Sequence, residues 1–292
     1  MHPMSREADR KQTMLRSLKQ MEHYKVSASD GEVGTVANFF LDDEFWTVRY
    51  LVVETDGFFE GRKVLVSPIS FLKAEWGSGQ FHVALTRDKV KHSPGVDTDR
   101  PVSRQHEQDF SMYYGYPNYW GASGVWGVNG DPAMLALAAE RAKPVGPPNA
   151  STDDVHLRSA AELRGYHIEG SDGQIGQVHD FIVDDETWEV RYLVISTTNW
   201  WMGKEVLVSP LWASSVSWEE RIVHVDMSRQ SIKESPEFDA CAGINREYES
   251  SLYDYYGRPV YWDADSQEPA AASRSPKPKW VGKGAPPHLQ NR

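Results

Sequence analysis

The sequence contains a single cysteine, Cys241, in 292 residues. One cysteine excludes an intramolecular disulfide and any metal site built from two or more thiolates, so the fold depends on packing alone. This scarcity favours a reducing compartment. No apolar run is long enough to span a bilayer, and the first residues lack the apolar segment of a signal peptide. We therefore expect a soluble, cytoplasmic protein whose membrane contacts, if it makes any, are peripheral.

The sequence also lacks an excess of positive charge. It has 31 Lys and Arg against 42 Asp and Glu, a formal net charge of −11. A phosphate backbone would repel such a chain, so no nucleic-acid partner is predicted. No phosphate-binding glycine loop, nucleophile elbow or dinucleotide fingerprint occurs in the sequence. We predict no catalytic residues, no cofactor, no metal site and no enzymatic activity.

What the sequence does contain is an internal repeat and many aromatic residues, which make up 12% of the chain. Residues 24–68 align with residues 166–210 at one constant offset and without a gap, and about half of the paired positions are identical. The same offset relates 15–17 to 157–159, and 113–120 to 255–262. Two copies of this size indicate a tandem of small domains.

The repeat divides the chain into four predicted segments. A first unit spans 14–120, and a second spans 155–262. Between them, 121–154 is rich in Gly, Pro and Ala and is predicted to be a linker with one short helix over 131–143. Residues 263–292 are Pro-, Ser- and Lys-bearing, and we expect a disordered tail.

Each unit shows the two-residue period of β-strands, followed by one helix. In the first unit we predict strands over 33–41, 46–54, 63–66 and 81–85. A helix over 101–114 is expected to begin after Ser103 and to end at Gly115. Its counterpart spans 242–256 and ends at Gly257. Short strands at this spacing predict a mainly β fold with a small barrel or sandwich in each unit.

Several motifs of both units resemble the PRC-barrel domain family, named after the reaction-centre H subunit of photosynthesis. They are Asp30-Gly31 with Gly34, the acidic turn Asp42-Asp43-Glu44, Arg49-Tyr50-Leu51-Val52 and the strand that ends in Ser67-Pro68. The helix and aromatic ending resemble stand-alone, two-domain bacterial members. The resemblance implies two tandem PRC-type β-barrels, each followed by a short helix and an aromatic-rich segment. It also implies that the protein acts by binding proteins.

The candidate partner-binding residues are aromatic. One pair of adjacent aromatics lies in a loop of each unit, and others follow each helix; they are Phe58, Phe59, Trp200, Trp201, Tyr114, Trp120, Tyr256 and Trp262. Bulky aromatics in these places either anchor a partner or fill and seal the unit itself. Both interpretations stay open at this stage.

Charged residues of the strands allow further alternatives. The acidic turns, 42–44 and 184–186, are predicted to be solvated, although clustered carboxylates are also ligands for Mg²⁺ or Ca²⁺. Arg49 and Arg191 are expected to form modest surface pairs with them. His82 and His224 are predicted to face solvent.

We therefore expect a non-enzymatic interaction or adaptor module, with an accessory role in a larger photosynthetic or membrane-associated complex as a narrower version. Equal units joined by a linker predict an intramolecular pseudo-dimer, and a homo-oligomer is not excluded. The alternative is a small-ligand- or metal-binding protein, or an enzyme, with its site between the two barrels.

Overall fold

The computed structural model describes residues 14–55, 61–96, 102–120, 124–128, 130–141, 155–197 and 204–264. Within these ranges the fold is mainly β and contains two mixed sheets. The elements of the first repeat are β1 (Leu15–Ser17), α1 (Leu18–Met21), β2 (Lys25–Ala28), β3 (Gly31–Asp42), β4 (Thr47–Thr55), β5 (Lys63–Val66), β6 (Phe71–Glu75), β7 (Gln80–Val83), α2 (Arg87–Lys91), β8 (Val102–Ser103) and α3 (Arg104–Tyr114).

The second repeat has the same order of elements up to its second short helix, but among its described residues it has no strand equivalent to β8 and it ends in one more helix. After β9 (Val125–Val128) and α4 (Pro132–Arg141) come β10 (Val155–Ser159), α5 (Ala160–Leu163), β11 (His167–Gly170), β12 (Gly173–Asp184), β13 (Val190–Ser196), β14 (Glu205–Val208), β15 (Ala213–Ser217), β16 (Ile222–Val225), α6 (Arg229–Glu234), α7 (Arg246–Tyr256) and α8 (Tyr261–Ala264). The predicted strands of the first repeat are thus confirmed as β3, β4, β5 and β7.

Each repeat contributes six strands to one sheet. The first sheet has the order β5-β4-β3-β2-β7-β6, and the second has the order β14-β13-β12-β11-β16-β15. Neighbouring strands are antiparallel except in the β2–β7 and β11–β16 pairs, which are parallel. Among the described residues the pairing does not return from the last strand to the first. The expected closed barrels are therefore replaced by two open sheets whose long central strands, β3 and β12, carry bulges.

The two repeats exchange their first strands. β1 belongs to the first repeat but pairs with β12 of the second sheet, where Arg16 lies opposite Val183. β10 belongs to the second repeat but pairs with β3 of the first sheet, where Arg158 lies opposite Leu41. The two pairings have the same register once the offset of the repeat is applied, so each sheet is completed by a strand from the other repeat.

A serine fixes each exchanged strand to the opposite sheet. The Ser17 hydroxyl donates to Asp180 Oδ2 at 2.5 Å, while the equivalent Ser159 hydroxyl accepts from Asn38 Nδ2 at 2.7 Å. Each serine also caps the short helix that follows it, because its oxygen accepts a backbone N–H three residues later. The polarity of the bond differs between repeats, but its position is the same.

Some residues contact their own equivalents in the other repeat. Thr47 forms a β-bridge with Glu189, and Glu22 forms an ion pair with Arg164; the members of both pairs are aligned with each other in the repeat. A position that contacts its own copy lies on the twofold axis of an isologous interface. These contacts therefore mark an approximate twofold axis between the repeats.

A tryptophan follows each acidic turn and reaches across this axis. Trp46 and Trp188 both have a positive φ, of 52° and 60°, and both are buried. The Trp188 ring packs against Phe71 at 5.3 Å and Phe81 at 6.0 Å, which belong to the first sheet, and its carbonyl accepts the Val48 N–H at 2.9 Å. The cores of the two sheets are thus continuous at this point.

The helix predictions are confirmed, with one shift. α3 begins after Ser103, whose hydroxyl caps it, and ends at Gly115 with a φ of 76°. α7 also ends at a left-handed glycine, Gly257, but begins at Arg246, later than the predicted residue 242. Asn245 provides its cap and so sets its first residue.

The predicted linker contains part of the core. Its helix is present as α4, and β9 precedes it. Trp126 of β9 is fully buried, and its Nε1 donates to the Thr187 carbonyl at 2.6 Å. Residues 121–154 are therefore more than a spacer. The expected disordered tail lies outside the described residues from 265 onwards.

Candidate functional site

The acidic turns are built around a buried aspartate in each repeat, not around a solvated cluster. Asp42 Oδ1 accepts the Glu44 and Phe45 N–H groups at 3.1 and 2.6 Å, and Asp184 accepts the two equivalent groups. Both aspartates are buried, so the prediction of a wholly solvated turn is wrong. Their carboxylates organise the turn from inside it.

The predicted surface pairs of the two arginines are buried ion pairs. Arg49 is fully buried, and its Nε donates to Asp42 Oδ2 at 2.5 Å. Arg191 donates to Asp184 at 3.2 Å and also contacts Glu189 at 3.0 Å. The prediction of a modest surface interaction is therefore wrong. It failed because the groups that cover the arginines come from distant parts of the chain.

Aromatic rings form that cover. The Arg49 guanidinium lies 3.8 Å from the centre of the Tyr119 ring and 4.5 Å from that of Trp126, while Arg191 lies 4.3 Å from the centre of Tyr261. A cation over an aromatic face is attracted by the ring quadrupole, and more strongly when water is excluded. Tyr119 and Tyr261 occupy equivalent positions after the two helices, so this stack is part of the repeated design.

A buried glutamate on each helix connects these tyrosines to the sheet. Glu107 of α3 accepts from Tyr119 at 2.5 Å. The equivalent Glu249 of α7 accepts from Tyr261 at 2.9 Å and from Tyr192 of β13 at 2.8 Å. Both glutamates are buried. Each one therefore holds a helix and its aromatic ending against the sheet of its repeat.

Glu107 differs from Glu249 in that a histidine also contacts its carboxylate. His156 of the exchanged strand β10 lies 2.6 Å from Glu107 Oε2, and both side chains are buried. The Asp43 N–H donates a hydrogen bond to the His156 carbonyl at 2.9 Å. Burial and the neighbouring Asp42 raise the pKa of Asp43 to about 7, against the opposing effect of His156 and Arg158. Met14 of the first repeat is aligned with His156 of the second.

The predicted partner-binding aromatics fall into two groups. Phe58, Phe59, Trp200 and Trp201 lie outside the described residues, and their role stays a prediction. The other four pack within their own repeats: Tyr114 on Tyr116, Trp120 on Tyr119, Tyr256 on Trp212, and Trp262 on Tyr253, with ring centres 4.9 to 5.4 Å apart. This packing agrees with the interpretation in which the aromatics seal their own unit. Partner binding by these four residues also stays a prediction.

The two strand histidines are partly exposed. His82 lies 3.6 Å from Glu75, and His224 lies 3.6 Å from Glu169. Within the described residues no group of three His, Cys, Asp or Glu side chains is arranged to hold a metal ion. The carboxylates of Asp42 and Asp184 are instead bonded to arginines and backbone N–H groups.

A cavity of about 290 Å³ opens beside the exchanged strand β1. Its apolar lining comes from β1, from the second sheet and from the segment after α6, with Leu15, Ile182, Val194, Phe238 and Ile244 as the main contributors. The N–H of Phe238 donates to the Glu205 carbonyl at 2.9 Å and so ties this last segment to β14. The cavity is complete only because β1 crosses from the first repeat to the second sheet.

Four ionisable side chains line the same cavity. His179 lies between two of them: its Nδ1 contacts Glu205, and its Nε2 is 2.7 Å from Lys19 Nζ. Asp180 lies beside them, bonded to the Ser17 hydroxyl and to the N–H groups of Lys19 and Phe181. Burial raises the pKa of Asp180, although these hydrogen bonds oppose the shift. Sequence patterns missed the cluster, since Lys19 is remote in the chain from the other three.

Residues 156–230 match the family model of the PRC-barrel domain. This segment of the second repeat is similar to the PRC-barrel domain. The match runs from the exchanged strand β10 to the start of α6. A search among curated proteins found no match for the chain. The motifs that resembled this family in the sequence, including Asp172-Gly173 and the acidic turn 184–186, lie inside the matched segment.

The ionisable cluster beside β1 has no counterpart at the equivalent position beside β10. In the alignment of the two repeats, Lys19 corresponds to Ala161, His179 to Ala37, Asp180 to Asn38 and Glu205 to Lys63. The strands are equivalent, but three of the four ionisable side chains are replaced by neutral ones and the fourth changes sign. The two repeats share the buried Asp–Arg pair and differ at the cavity.

Proposed function

We propose that the chain is a non-enzymatic protein-interaction module that acts as an adaptor. The observation that carries this proposal is the match of residues 156–230 to the PRC-barrel domain. The resemblance described above connects this family with barrels that act by binding proteins. In this role the chain provides a rigid binding surface, and its partner is another protein.

The first repeat is, in this proposal, a second PRC-type copy, and the two copies work as one pseudo-dimer. Support comes from the constant offset between the repeats and from the order of elements that they share, from β1 to α2 and from β10 to α6. The exchanged strands β1 and β10 give further support, since each copy completes the sheet of the other. An adaptor of this form presents its two copies in a fixed relative orientation.

The partner binds to aromatic and apolar side chains at the surface. The adjacent aromatics Phe58-Phe59 and Trp200-Trp201 are the proposed anchors, because large aromatics contribute most to protein interfaces. On α4, Met134 and Leu137 lie one turn apart and are 51% and 48% exposed. Exposed apolar side chains on one helix face are typical of an interaction surface.

An accessory role in a photosynthetic or membrane-associated complex is the narrower form of the proposal. Among the described residues, no helix is both long enough and apolar enough to cross a bilayer. Association with a membrane therefore takes place through a membrane-bound partner in this account. A cytoplasmic location is part of the proposal and is favoured by the single cysteine.

Affinity capture from an extract of the native cell tests the proposal. The full chain serves as bait, beside one variant with Trp200→Ala and Trp201→Ala and another with Phe58→Ala and Phe59→Ala. Removing a pair of anchor aromatics should lower the recovery of the specific partner by about tenfold or more, because such residues carry most of the binding energy.

Leu72→Ala is the matched control, since Leu72 is 68% exposed and is not one of the proposed anchors. Its capture should equal that of the unchanged chain. Equal recovery of the partner by all variants would contradict the assignment of the anchors. Recovery of no specific protein by the unchanged chain would contradict the adaptor function itself.

A further inference from the structure

We propose that the cavity beside the exchanged strand β1 binds a small amphipathic carboxylate, with its hydrocarbon body on the apolar lining and its carboxylate on Lys19. This site is independent of the proposed protein partner. Its components come from both repeats, because Leu15, Ser17 and Lys19 line it from the first repeat and most of the remaining lining comes from the second.

The size and the lining of the cavity fit such a ligand. A volume of about 290 Å³ is at the lower end of the range of small-molecule sites, roughly 300–1,000 Å³. Leu15, Ile182, Val194, Phe238 and Ile244 offer an apolar surface to a short hydrocarbon chain. Transfer of that chain from water to this surface supplies the main driving force for binding.

The ionisable cluster selects the polar end of the ligand. Because an ammonium can only donate, the tautomer that fits both contacts has the His179 Nδ1–H donating to Glu205 and Nε2 accepting a hydrogen bond from Lys19 at 2.7 Å. An ammonium has three N–H groups, and this bond uses one of them. Lys19 is therefore held at the cavity as a positively charged donor, which forms a charge-assisted hydrogen bond with a carboxylate.

The two acidic side chains do not occupy the same position as the ligand's carboxylate. Glu205 is on the opposite side of the His179 ring from Lys19. Asp180 directs one oxygen to the Ser17 hydroxyl and the other to the N–H groups of Lys19 and Phe181. The carboxylates of Glu205 and Asp180 are therefore occupied by hydrogen bonds within the protein. The Lys19 ammonium is the group that binds the ligand's carboxylate.

The first repeat shows that the fold does not require this cluster. It forms an equivalent sheet, with an equivalent exchanged strand, where Ala161, Ala37, Asn38 and Lys63 stand in place of the four ionisable residues. Side chains that serve only the shared architecture would be expected in both repeats. The charges found at one copy of a duplicated position therefore indicate a role specific to that copy.

Titration calorimetry of the full chain with octanoate tests the site. Octanoate should bind with a stoichiometry of one, while octylamine, which has the same chain and the opposite charge, should not bind. Lys19→Gln should weaken octanoate binding by about tenfold or more, because it removes a charge-assisted hydrogen bond. Lys25→Gln is the matched control, since Lys25 is an exposed lysine that does not line the cavity, and it should bind octanoate as the unchanged chain does.

A second variant tests the location independently of charge. Ile244→Trp should fill the cavity and abolish octanoate binding while the far-ultraviolet circular dichroism stays the same. The proposal is wrong if the unchanged chain does not bind octanoate, or if octanol binds as tightly. It is equally wrong if Lys19→Gln or a folded Ile244→Trp chain binds octanoate as well as the unchanged chain.

Discussion

Arg49 is a cation buried at the base of the acidic turn, and its pairing with Asp42 holds that turn and the aromatic cover together. Arg49→Met removes the cation but leaves the Asp42 carboxylate buried. Removing one member of a buried pair is strongly destabilising, so we expect a loss of about 3–5 kcal/mol in the free energy of unfolding. Urea unfolding followed by tryptophan fluorescence measures this loss.

Two further variants show whether the loss of stability comes from the broken ion pair. Arg87→Met removes an exposed arginine and should change the free energy of unfolding by less than about 0.5 kcal/mol. Adding Asp42→Asn to Arg49→Met should recover part of the stability, since the uncompensated charge disappears. A loss of under about 1 kcal/mol for Arg49→Met alone would mean that the pair is not buried as described.

Asp43 makes the stability of the folded chain depend on pH. Its pKa is raised to about 7 by burial and by Asp42, while His156 and Arg158 oppose the shift. Between about pH 4 and pH 7 the native state therefore binds more protons at Asp43 than the unfolded state does. This contribution to stability falls as the pH rises through that window and is constant above it.

Asp43→Asn removes this contribution because an amide does not titrate. The stability of the unchanged chain relative to the variant should therefore decline from pH 4.5 to pH 7.5, as measured by urea unfolding at several pH values. Asp254→Asn, at an exposed carboxylate of α7, should show no such trend. Parallel curves for the unchanged chain and Asp43→Asn would show that the pKa of Asp43 is not raised.

Sequence reasoning identified the charged residues of this region but not their burial. The acidic turn and Arg49 are close in the chain, and their pairing was predicted. The cover is not local, because Tyr119 follows a helix and Trp126 lies in the predicted linker. No pattern within a strand reveals that a ring from a distant part of the chain lies over it.

At the scale of elements, one glycine in each repeat lets neighbouring strands approach closely. A Cβ atom on Gly34 would overlap the carbonyl oxygen of Glu54, and one on Gly176 would overlap that of Ser196. These contacts involve backbone atoms, which cannot move aside without shifting β4 or β13. This requirement explains the last glycine of the Ser-Asp-Gly-x-x-Gly motif that both repeats share.

Gly34→Ala should therefore reduce the free energy of unfolding by about 1–3 kcal/mol, as expected for overpacking between two strands. Gly77→Ala is the matched control, because no atom lies within 4 Å of its added Cβ and its backbone requires no positive φ. Chemical unfolding of both variants measures the difference. If the two alanines cost the same, the close approach of β3 and β4 is not as described.

The long strands and the helices could be predicted because their signals are local. Alternating apolar residues marked β3 and β4, and Ser103 with Gly115 bounded α3. β1 and β10, of three and five residues, were not predicted. Their partners lie in the other repeat, so their pairing depends on tertiary structure alone.

At the scale of the whole molecule, the duplication explains the interface. Two equal units that contact each other about a twofold axis use the same surface twice, so each favourable contact occurs in two copies. Thr47–Glu189 and Glu22–Arg164 lie on that axis, and the exchanged strands lie on either side of it. The repeat predicted two equal units, whereas the exchange of strands between them required the structure.

Each repeat completes the sheet of the other, and cutting the connection between the repeats is the sharpest test of this exchange. A protease recognition sequence inserted between Pro148 and Asn149 allows the chain to be cut in two under native conditions. Size-exclusion chromatography with light scattering then measures the mass of the product. The account predicts one species near the 33.1 kDa of the intact chain, which separates into two fragments only in denaturant. Two separate native species, each of about half that mass, would contradict it.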